Sequence, residues 1–188
     1  MADPLAAAVR AVRQGRPILY PTDTLWGLGV RPDDRVGVGR LYALKERPGG
    51  MPVAVAASSY EELEPYVKLS STARATLRRW LPGPFTFLLR ASPRARREWT
   101  PSVLGESHTV GVRIPDHPIA RALLARTGPL TTTSANRHGD PPSRSPAEAR
   151  RLFGRGVGAY VTGGTPPSGR PSMIVALTGP HPHVLRRS

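Results

Sequence analysis

Lys45 and Arg47 stand two residues apart, just beyond a helical pattern, and their side chains suit the binding of phosphate groups. An arginine presents a planar fork of donors and a lysine presents a compact ammonium, so the two bind phosphate in complementary ways. Arginine supplies nearly all the positive charge of the chain, whose two lysines are Lys45 and Lys68. A lysine in such a chain suggests that a site needs its compact ammonium. Two cations at a helix C-terminus could equally serve only to stabilise that terminus.

A loop rich in hydroxyl groups and glycine precedes this pair. Residues 20–29 read Tyr-Pro-Thr-Asp-Thr-Leu-Trp-Gly-Leu-Gly, in which an apolar strand pattern breaks into small polar residues. Thr22 and Thr24 could offer hydroxyls to a ligand, and Gly27 and Gly29 would let the backbone approach it closely. Threonine and aspartate are also common in turns, so an ordinary turn accounts for the segment equally well. Combined with the cation pair, the loop favours a polyanionic small molecule such as a nucleotide.

Further polar groups stand at the ends of apolar strand patterns, where open α/β sheets build their binding sites. They are Arg113, the segment Ser134-Ala135-Asn136, and the segment Gly169-Arg170-Pro171-Ser172. Each could instead be a solvated strand end or a turn. No Ser-His-Asp triad or pair of carboxylates stands out in the sequence. We therefore expect a reaction that depends on positioning and charge stabilisation rather than on a protein nucleophile.

Apolar periodicity and breaker residues predict the elements that hold these groups. The predicted strands are 18–20, 53–57, 85–89, 110–114, 130–133, 159–162, 173–177 and 183–186. The predicted helices are 5–14, one capped by Asp33 or Asp34 that runs to about 45, a short one opening at 59, 72–81, 116–126 and 146–153. Residues 91–107 carry proline, serine and charge without a period, which predicts a mobile loop. The order of elements indicates an α/β (α+β) fold of one domain, residues 1–188, with a twisted mixed parallel and antiparallel sheet flanked by helices.

The composition narrows the class of protein. The chain has 188 residues, no cysteine and a formal net charge of +14, with 27 Lys and Arg against 13 Asp and Glu. The absence of cysteine excludes disulfides and thiolate metal sites. No apolar run reaches the roughly 18 residues of a membrane span, and the first residues do not resemble a signal peptide, so we expect a cytoplasmic protein without a membrane partner. The charge favours polyanions, although a GC-rich genome would produce the same arginine bias.

Five segments occur in an order that is specific when taken together. They are 21–29 (PTDTLWGLG), 45–48 (KERP, followed by Pro52), 82–86 (PGPFT), 112–115 (VRIP) and 134–136 (SAN). In this order, and over residues 18–186, the chain resembles the YrdC/TsaC family of threonylcarbamoyl-AMP synthases. The resemblance implies a YrdC-like fold with a basic concave face. It also implies that L-threonine, bicarbonate or CO2, and ATP react to give threonylcarbamoyl-adenylate and pyrophosphate.

The resemblance further implies roles for individual residues, by matching position. Threonine would be held by Thr24, Arg113, Ser134 and Ser172. ATP would be held by Lys45, Arg47, Thr109, Asn136, Ser143, Arg144 and Arg186, with Lys45 and Arg47 also acting in catalysis. Magnesium would be carried on the ATP phosphates without direct protein ligands. The adenylate would pass to a threonylcarbamoyl-transferase complex that modifies adenosine 37 of tRNA, and the chain itself would bind tRNA or other RNA weakly.

A second function fits the same charge. A non-catalytic protein of this fold that binds double-stranded or ribosomal RNA would also be strongly basic. The cation pair and the Ser134-Ala135-Asn136 segment favour the enzyme, because a protein that only binds RNA has no evident need for them. The carbamoyl-transfer domain of hydrogenase maturation proteins is a third possibility, but those proteins carry Cys-rich zinc segments. Neither cation of the pair is expected to lie in the core.

Overall fold

The computed structural model describes residues 3–105, 107–179 and 181–187. The strands of this part are β1 (Ile18–Tyr20), β2 (Gly27–Gly29), β3 (Ala54–Ala56), β4 (Val67–Lys68), β5 (Phe85–Ala91), β6 (Thr109–Arg113), β7 (Leu130–Ser134), β8 (Ala159–Tyr160), β9 (Met173–Ala176) and β10 (His183–Arg186). The helices are α1 (Ala6–Arg13), α2 (Arg35–Leu44), α3 (Tyr60–Leu63), α4 (Ser71–Trp80), α5 (Pro93–Glu98), α6 (Pro118–Thr127) and α7 (Pro146–Phe153).

The strands form one mixed sheet. Their order is β10-β9-β5-β6-β3-β7-β2-β1-β8, and β4 pairs with β5 outside this path. The pairs β1/β8, β3/β6 and β5/β9 are parallel, whereas the pairs β1/β2, β2/β7, β3/β7 and β5/β6 are antiparallel. The predicted α/β fold with a mixed sheet is therefore confirmed.

Helices cover both faces of the sheet, so the apolar strands β1 and β3 place side chains in a core on each face. In β1, Ile18 and Tyr20 point into a core shared with α1 and α6, whereas Leu19 points into the larger core on the opposite face. The larger core takes side chains from α2, α4 and α7. Of the two predicted caps, Asp33 and Asp34, it is Asp34 that caps α2, since its side chain accepts a hydrogen bond from the Gly37 backbone N–H at 2.9 Å.

The prediction of a mobile loop over residues 91–107 is wrong for the described part of that segment. Pro93–Glu98 forms α5, and Pro101–Val103 forms a turn of 3-10 helix. The Ser92 hydroxyl caps α5 by accepting from the Ala95 N–H at 3.2 Å, and Trp99 stacks on Tyr66 with ring centroids 4.5 Å apart. Serine followed by proline is a helix start signal, and the density of charged residues obscured it.

Gly27 and Gly29, after the hydroxyl loop, belong to strand β2, and Gly29 differs from expectation. Gly29 packs against the backbone of β7, where a Cβ would collide with the Thr131 carbonyl oxygen. This glycine therefore permits close packing of strands rather than close approach of a ligand. In the described ranges, no helix has the length and apolarity needed to cross a membrane.

Candidate functional site

A cavity of about 430 Å³ opens where several strands end. Loops after β1, α2, β7 and β8 complete its walls. Seven of the predicted site residues line it: Thr24, Arg47, Arg113, Ser134, Asn136, Ser172 and Arg186. These residues are far apart in the chain, so the fold brings the predicted segments together.

The hydroxyl loop is a rigid turn as well as a wall of the cavity. The Thr22 hydroxyl donates to the Leu25 carbonyl at 2.6 Å and accepts from the N–H groups of Thr24 and Leu25 at 3.2 and 3.1 Å. Such side-chain bonds to nearby backbone are characteristic of threonine turns. The interpretation as a turn is therefore confirmed for Thr22. Thr22 and Thr24 also line the cavity, and their contact with a ligand stays a prediction.

Arg113, at the end of β6, is held from the hydroxyl loop. One terminal nitrogen donates to the Thr24 hydroxyl at 2.9 Å, and the other donates to Oδ1 of Asp23 at 2.6 Å. Side-chain exposures of 7% for Arg113 and 13% for Asp23 make this a buried ion pair. Burial lowers the pKa of Arg113, and the neighbouring Asp23 carboxylate opposes that shift. The Nε–H of Arg113 is buried and has no partner among the described residues.

Lys45 corrects one expectation, because it lies in the core with only 2% of its surface exposed. Its ammonium donates to the carbonyl oxygens of Ser134 and Asn136, each at 2.5 Å. In return, the His138 N–H donates to the Lys45 carbonyl at 2.7 Å. Burial, together with the charge of Arg47, lowers the pKa of Lys45 to about 8. Lys45 does not line the cavity directly; it joins the end of α2 to the wall that follows β7.

Arg47 is half-buried and lines the cavity. Its guanidinium donates to the carbonyl oxygens of Met51 and Pro52 at 3.0 and 2.9 Å. These contacts fix the side chain without cancelling its charge. A guanidinium has five N–H donors, so Arg47 keeps donors for a ligand.

Asn136 and Ser134 form the wall above Lys45. The Asn136 amide donates to the carbonyl oxygens of Arg137 and Asp140 at 2.7 and 2.8 Å. Its Oδ1 is buried without a partner in the part of the chain that the structure describes. An unpaired buried acceptor is costly, which suits a group that a ligand completes.

The opposite wall is built on β5, β9 and β10. The hydroxyls of Ser172 and Thr86 lie 2.8 Å apart, and Arg186 donates through its NH2 group to the Ser172 carbonyl at 2.8 Å. Burial, followed by the charge of Arg113, lowers the pKa of Arg186. The positive charges of Arg113 and Arg186 therefore repel each other within the cavity.

Besides Lys45, three predicted site residues do not line this cavity: Thr109, Ser143 and Arg144. The Ser143 N–H donates to the Ala135 carbonyl at 2.9 Å, and the Arg144 carbonyl accepts from the Trp26 indole at 3.3 Å. These two residues thus support the wall from behind. Thr109 lies at the start of β6, and its hydroxyl contacts that of Ser107 at 3.3 Å.

Sequence reasoning missed four residues of this region. Trp26, Thr86 and Asp140 line the cavity, and Asp23 pairs with Arg113. Asp23 belongs to the PTDTLWGLG segment, residues 21–29, where the sequence indicates only a turn residue. Its partner lies 90 positions away, and no local pattern connects the two.

Fold and cavity together define an α/β protein with an arginine-lined cavity at the ends of its sheet strands. The Sua5_yciO_yrdC family model, described as "Telomere recombination", matches residues 10–188. The chain therefore belongs to the Sua5/YciO/YrdC family, and the resemblance inferred from the five segments is confirmed.

Individual relatives agree with this membership. The threonylcarbamoyl-AMP synthase of Chromohalobacter salexigens is 41% identical over 175 residues, which cover 92% of each chain. The structure of P. abyssi Sua5 complexed with L-threonine has a TM-score of 0.90 at 29% identity, covering 99% of this chain and 55% of that one. The structure of E. coli YciO has a TM-score of 0.87 at 28% identity, covering 97% and 88%. The chain thus spans little more than half of the P. abyssi protein.

Proposed function

We propose that this protein is a threonylcarbamoyl-AMP synthase, a nucleotidyltransferase that joins L-threonine, bicarbonate or CO2, and ATP. The observation that carries the proposal is the cavity itself, in which Arg47, Arg113 and Arg186 converge. A relative of that name matches over 92% of its own length at 41% identity, and a structural neighbour of the same family was solved with L-threonine.

The arrangement suggests a mechanism by positioning. The threonine amine adds to CO2 to give a carbamate, and the carbamate oxygen attacks the α-phosphorus of ATP as pyrophosphate leaves. Arg113, fixed by Thr24 and Asp23, has N–H donors left for the threonine carboxylate. Arg47 would stabilise the charge that grows on the phosphates, and Lys45 would add its positive charge from behind the cavity wall. Ser134 and Ser172 offer hydroxyls to threonine, and Asn136 and Arg186 offer polar contacts to ATP.

The donor set fits magnesium carried by the nucleotide. Asp140 lines the cavity with an exposed carboxylate, and the described residues contain no group of three His, Cys, Asp or Glu side chains suited to a metal. Magnesium commonly binds through one carboxylate together with substrate phosphates. When bound, the ion would neutralise phosphate charge; the chain's own contribution is Asp140 on one side and the cations on the other.

The test is pyrophosphate release by the purified chain with ATP, magnesium, bicarbonate and one amino acid at a time. We expect release to require threonine and bicarbonate together. Serine should react less well, because one methyl group in a pocket is worth about 1–3 kcal/mol. Equal release with and without threonine, or equal turnover of serine and threonine, would contradict the proposal.

Weak binding of tRNA is part of the same proposal, since the adenylate serves a transferase complex that modifies tRNA. Exposed arginines occur on many elements, including Arg10, Arg35, Arg97 and Arg151. Phosphate contacts release counterions, so affinity should fall steeply as salt rises. Filter binding at several salt concentrations tests this. A sequence-selective complex insensitive to salt, without threonine-dependent turnover, would instead favour the RNA-binding alternative.

A further inference from the structure

We infer that Asp23 is a positioning residue for threonine: its carboxylate fixes the orientation of the Arg113 guanidinium that receives the substrate carboxylate. This inference rests on the proposed function and deepens it. Asp23 itself does not line the cavity, so its effect must pass through Arg113.

The first support is the position of the ion pair in the fold. Arg113 ends β6, whereas Asp23 lies in the loop before β2, and β3 and β7 separate these two strands in the sheet. The Asp23–Arg113 contact at 2.6 Å therefore ties the hydroxyl loop across strand ends that are not neighbours. A guanidinium at the end of a strand would otherwise have a wide choice of rotamers.

The second support is the rigidity of the Asp23 backbone. The Thr22 hydroxyl holds the turn on one side, through its bonds to Thr24 and Leu25. On the other side, the N–H groups of Ser168 and Gly169 donate to the carbonyls of Asp23 and Thr24 at 3.1 and 2.9 Å. The carboxylate is thus presented from a fixed turn, as a positioning group requires.

The third support is the pattern of used and unused polar atoms. Asp23 and Thr24 take one N–H each from the two terminal nitrogens of Arg113. Oδ2 of Asp23 and Nε of Arg113 are both buried without a partner in the described ranges. A buried ion pair with unsatisfied atoms is poor evidence of stabilisation. Its retention is better explained by the orientation that it imposes on the remaining guanidinium donors.

The test is calorimetric titration of L-threonine, and separately of ATP with magnesium, into the full chain. Asp23→Asn removes the charge while keeping the shape. We expect its threonine Kd to rise about 10²-fold, the scale of a misplaced binding group, while its ATP Kd stays unchanged. In pyrophosphate release, the threonine KM should rise far more than kcat falls.

The matched control is Asp33→Asn. Asp33 pairs with Arg31 at the same 2.6 Å, but on the surface, with side-chain exposures of 39% and 45%. This variant should keep the threonine affinity of the parent. Asp23→Glu is the conservative variant: it keeps the charge but lengthens the side chain, so threonine affinity should fall while ATP affinity holds.

Each outcome decides something. Threonine affinity of Asp23→Asn equal to that of the parent overturns the inference and leaves the proposed function standing. Equal weakening of threonine and ATP, with a lower Tm, assigns Asp23 a merely structural role and also overturns it. If Asp23→Asn does not fold, Asp23→Glu decides by the same criteria. Failure of the parent chain to bind threonine removes the proposed function and the inference together.

Discussion

The cations on the two sides of the cavity have different hydrogen-bond partners. On the Arg113 side, formed by Asp23, Thr24 and Arg113, the cation is paired with a buried carboxylate. On the Lys45 side, formed by Lys45, Arg47 and Asn136, the described contacts of both cations are to backbone carbonyls. Carbonyl dipoles orient a cation without cancelling its unit charge. The Lys45 side thus keeps net positive charge for phosphates, whereas the Asp23–Arg113 pair is nearly neutral, as suits a zwitterionic amino acid.

The largest expected effect comes from Lys45→Ala, which should lower both activity and stability. The ammonium supports two carbonyls of the cavity wall, and hydrogen bonds to charged groups contribute about 1.5–3 kcal/mol each. Relief of the buried charge offsets part of this loss. A net loss of about 2 kcal/mol would lower Tm by roughly 4–8 °C for a chain of this size. Single-turnover adenylate formation and thermal melts measure the two effects.

Lys45→Arg serves as the companion variant. Its planar guanidinium keeps the charge but cannot replace a compact ammonium between two carbonyls, so we expect impaired activity here too. Near-native activity and an unchanged melt for Lys45→Ala would show that the site needs neither the hydrogen bonds of the Lys45 ammonium to the cavity wall nor its charge. The loss of stability is expected because Lys45, contrary to the prediction from sequence, lies in the core.

Arg47→Ala should reduce activity about 10²–10³-fold, the cost of removing a preorganised donor from developing charge. Unlike Lys45, Arg47 is half-buried, and it donates to the nearby carbonyls of Met51 and Pro52. The Tm of this variant should therefore change little. Arg97→Ala is the control, because Arg97 is exposed on α5 and should keep full activity. If both variants lost activity equally, general surface charge rather than the site would be responsible.

Thr24→Val tests the Arg113 side and should raise the threonine KM about tenfold, since a hydrogen bond to a charged group is lost. The side chains are similar in size, so the turn built by Thr22 should survive. The ATP KM should not move. A shared rise in both KM values would mean that the two sides of the cavity do not act separately, and the comparison between them would fail.

Features that depend on residues close together in the chain could be predicted from the sequence, and features that depend on distant residues could not. The strand β10 has the predicted bounds, 183–186, and one of the two candidate caps, Asp34, caps α2, because periodicity and caps are local signals. The motifs also identified Thr24, Arg47 and Arg113 as residues that meet in one place. The burial of Lys45 was missed because spacing beyond a helix does not reveal which loop will cover it. Asp23 was missed because its meaning depends on a partner on another strand.

The smallest expected effect is on the pH profile, and it arises on the Lys45 side. With a pKa of about 8, Lys45 should lose its proton well below the usual range of lysine. If the ammonium is required, kcat/KM for ATP, which reports ionisations of the free enzyme, should fall about four-fold between pH 7 and pH 8.5. Arg97→Ala should show the same fall, and Lys45→Arg, whatever its residual activity, should not.

The stability of the fold should respond to this ionisation in the opposite direction from activity. A loss of activity caused by deprotonation of Lys45 can therefore be distinguished from one caused by unfolding. The folded-state pKa of Lys45 lies below its ordinary value of 10.5, so the unfolded chain binds more protons between pH 8 and 10.5. Where the unfolded state binds more protons, the free energy of unfolding rises with pH. The Lys45 contribution should therefore raise Tm across this window while activity falls. Denaturant titrations at pH 7.5 and 9.5, on the parent and on Lys45→Arg, isolate it. Activity that stays constant to pH 9.5 would show that Lys45 acts only by holding the wall.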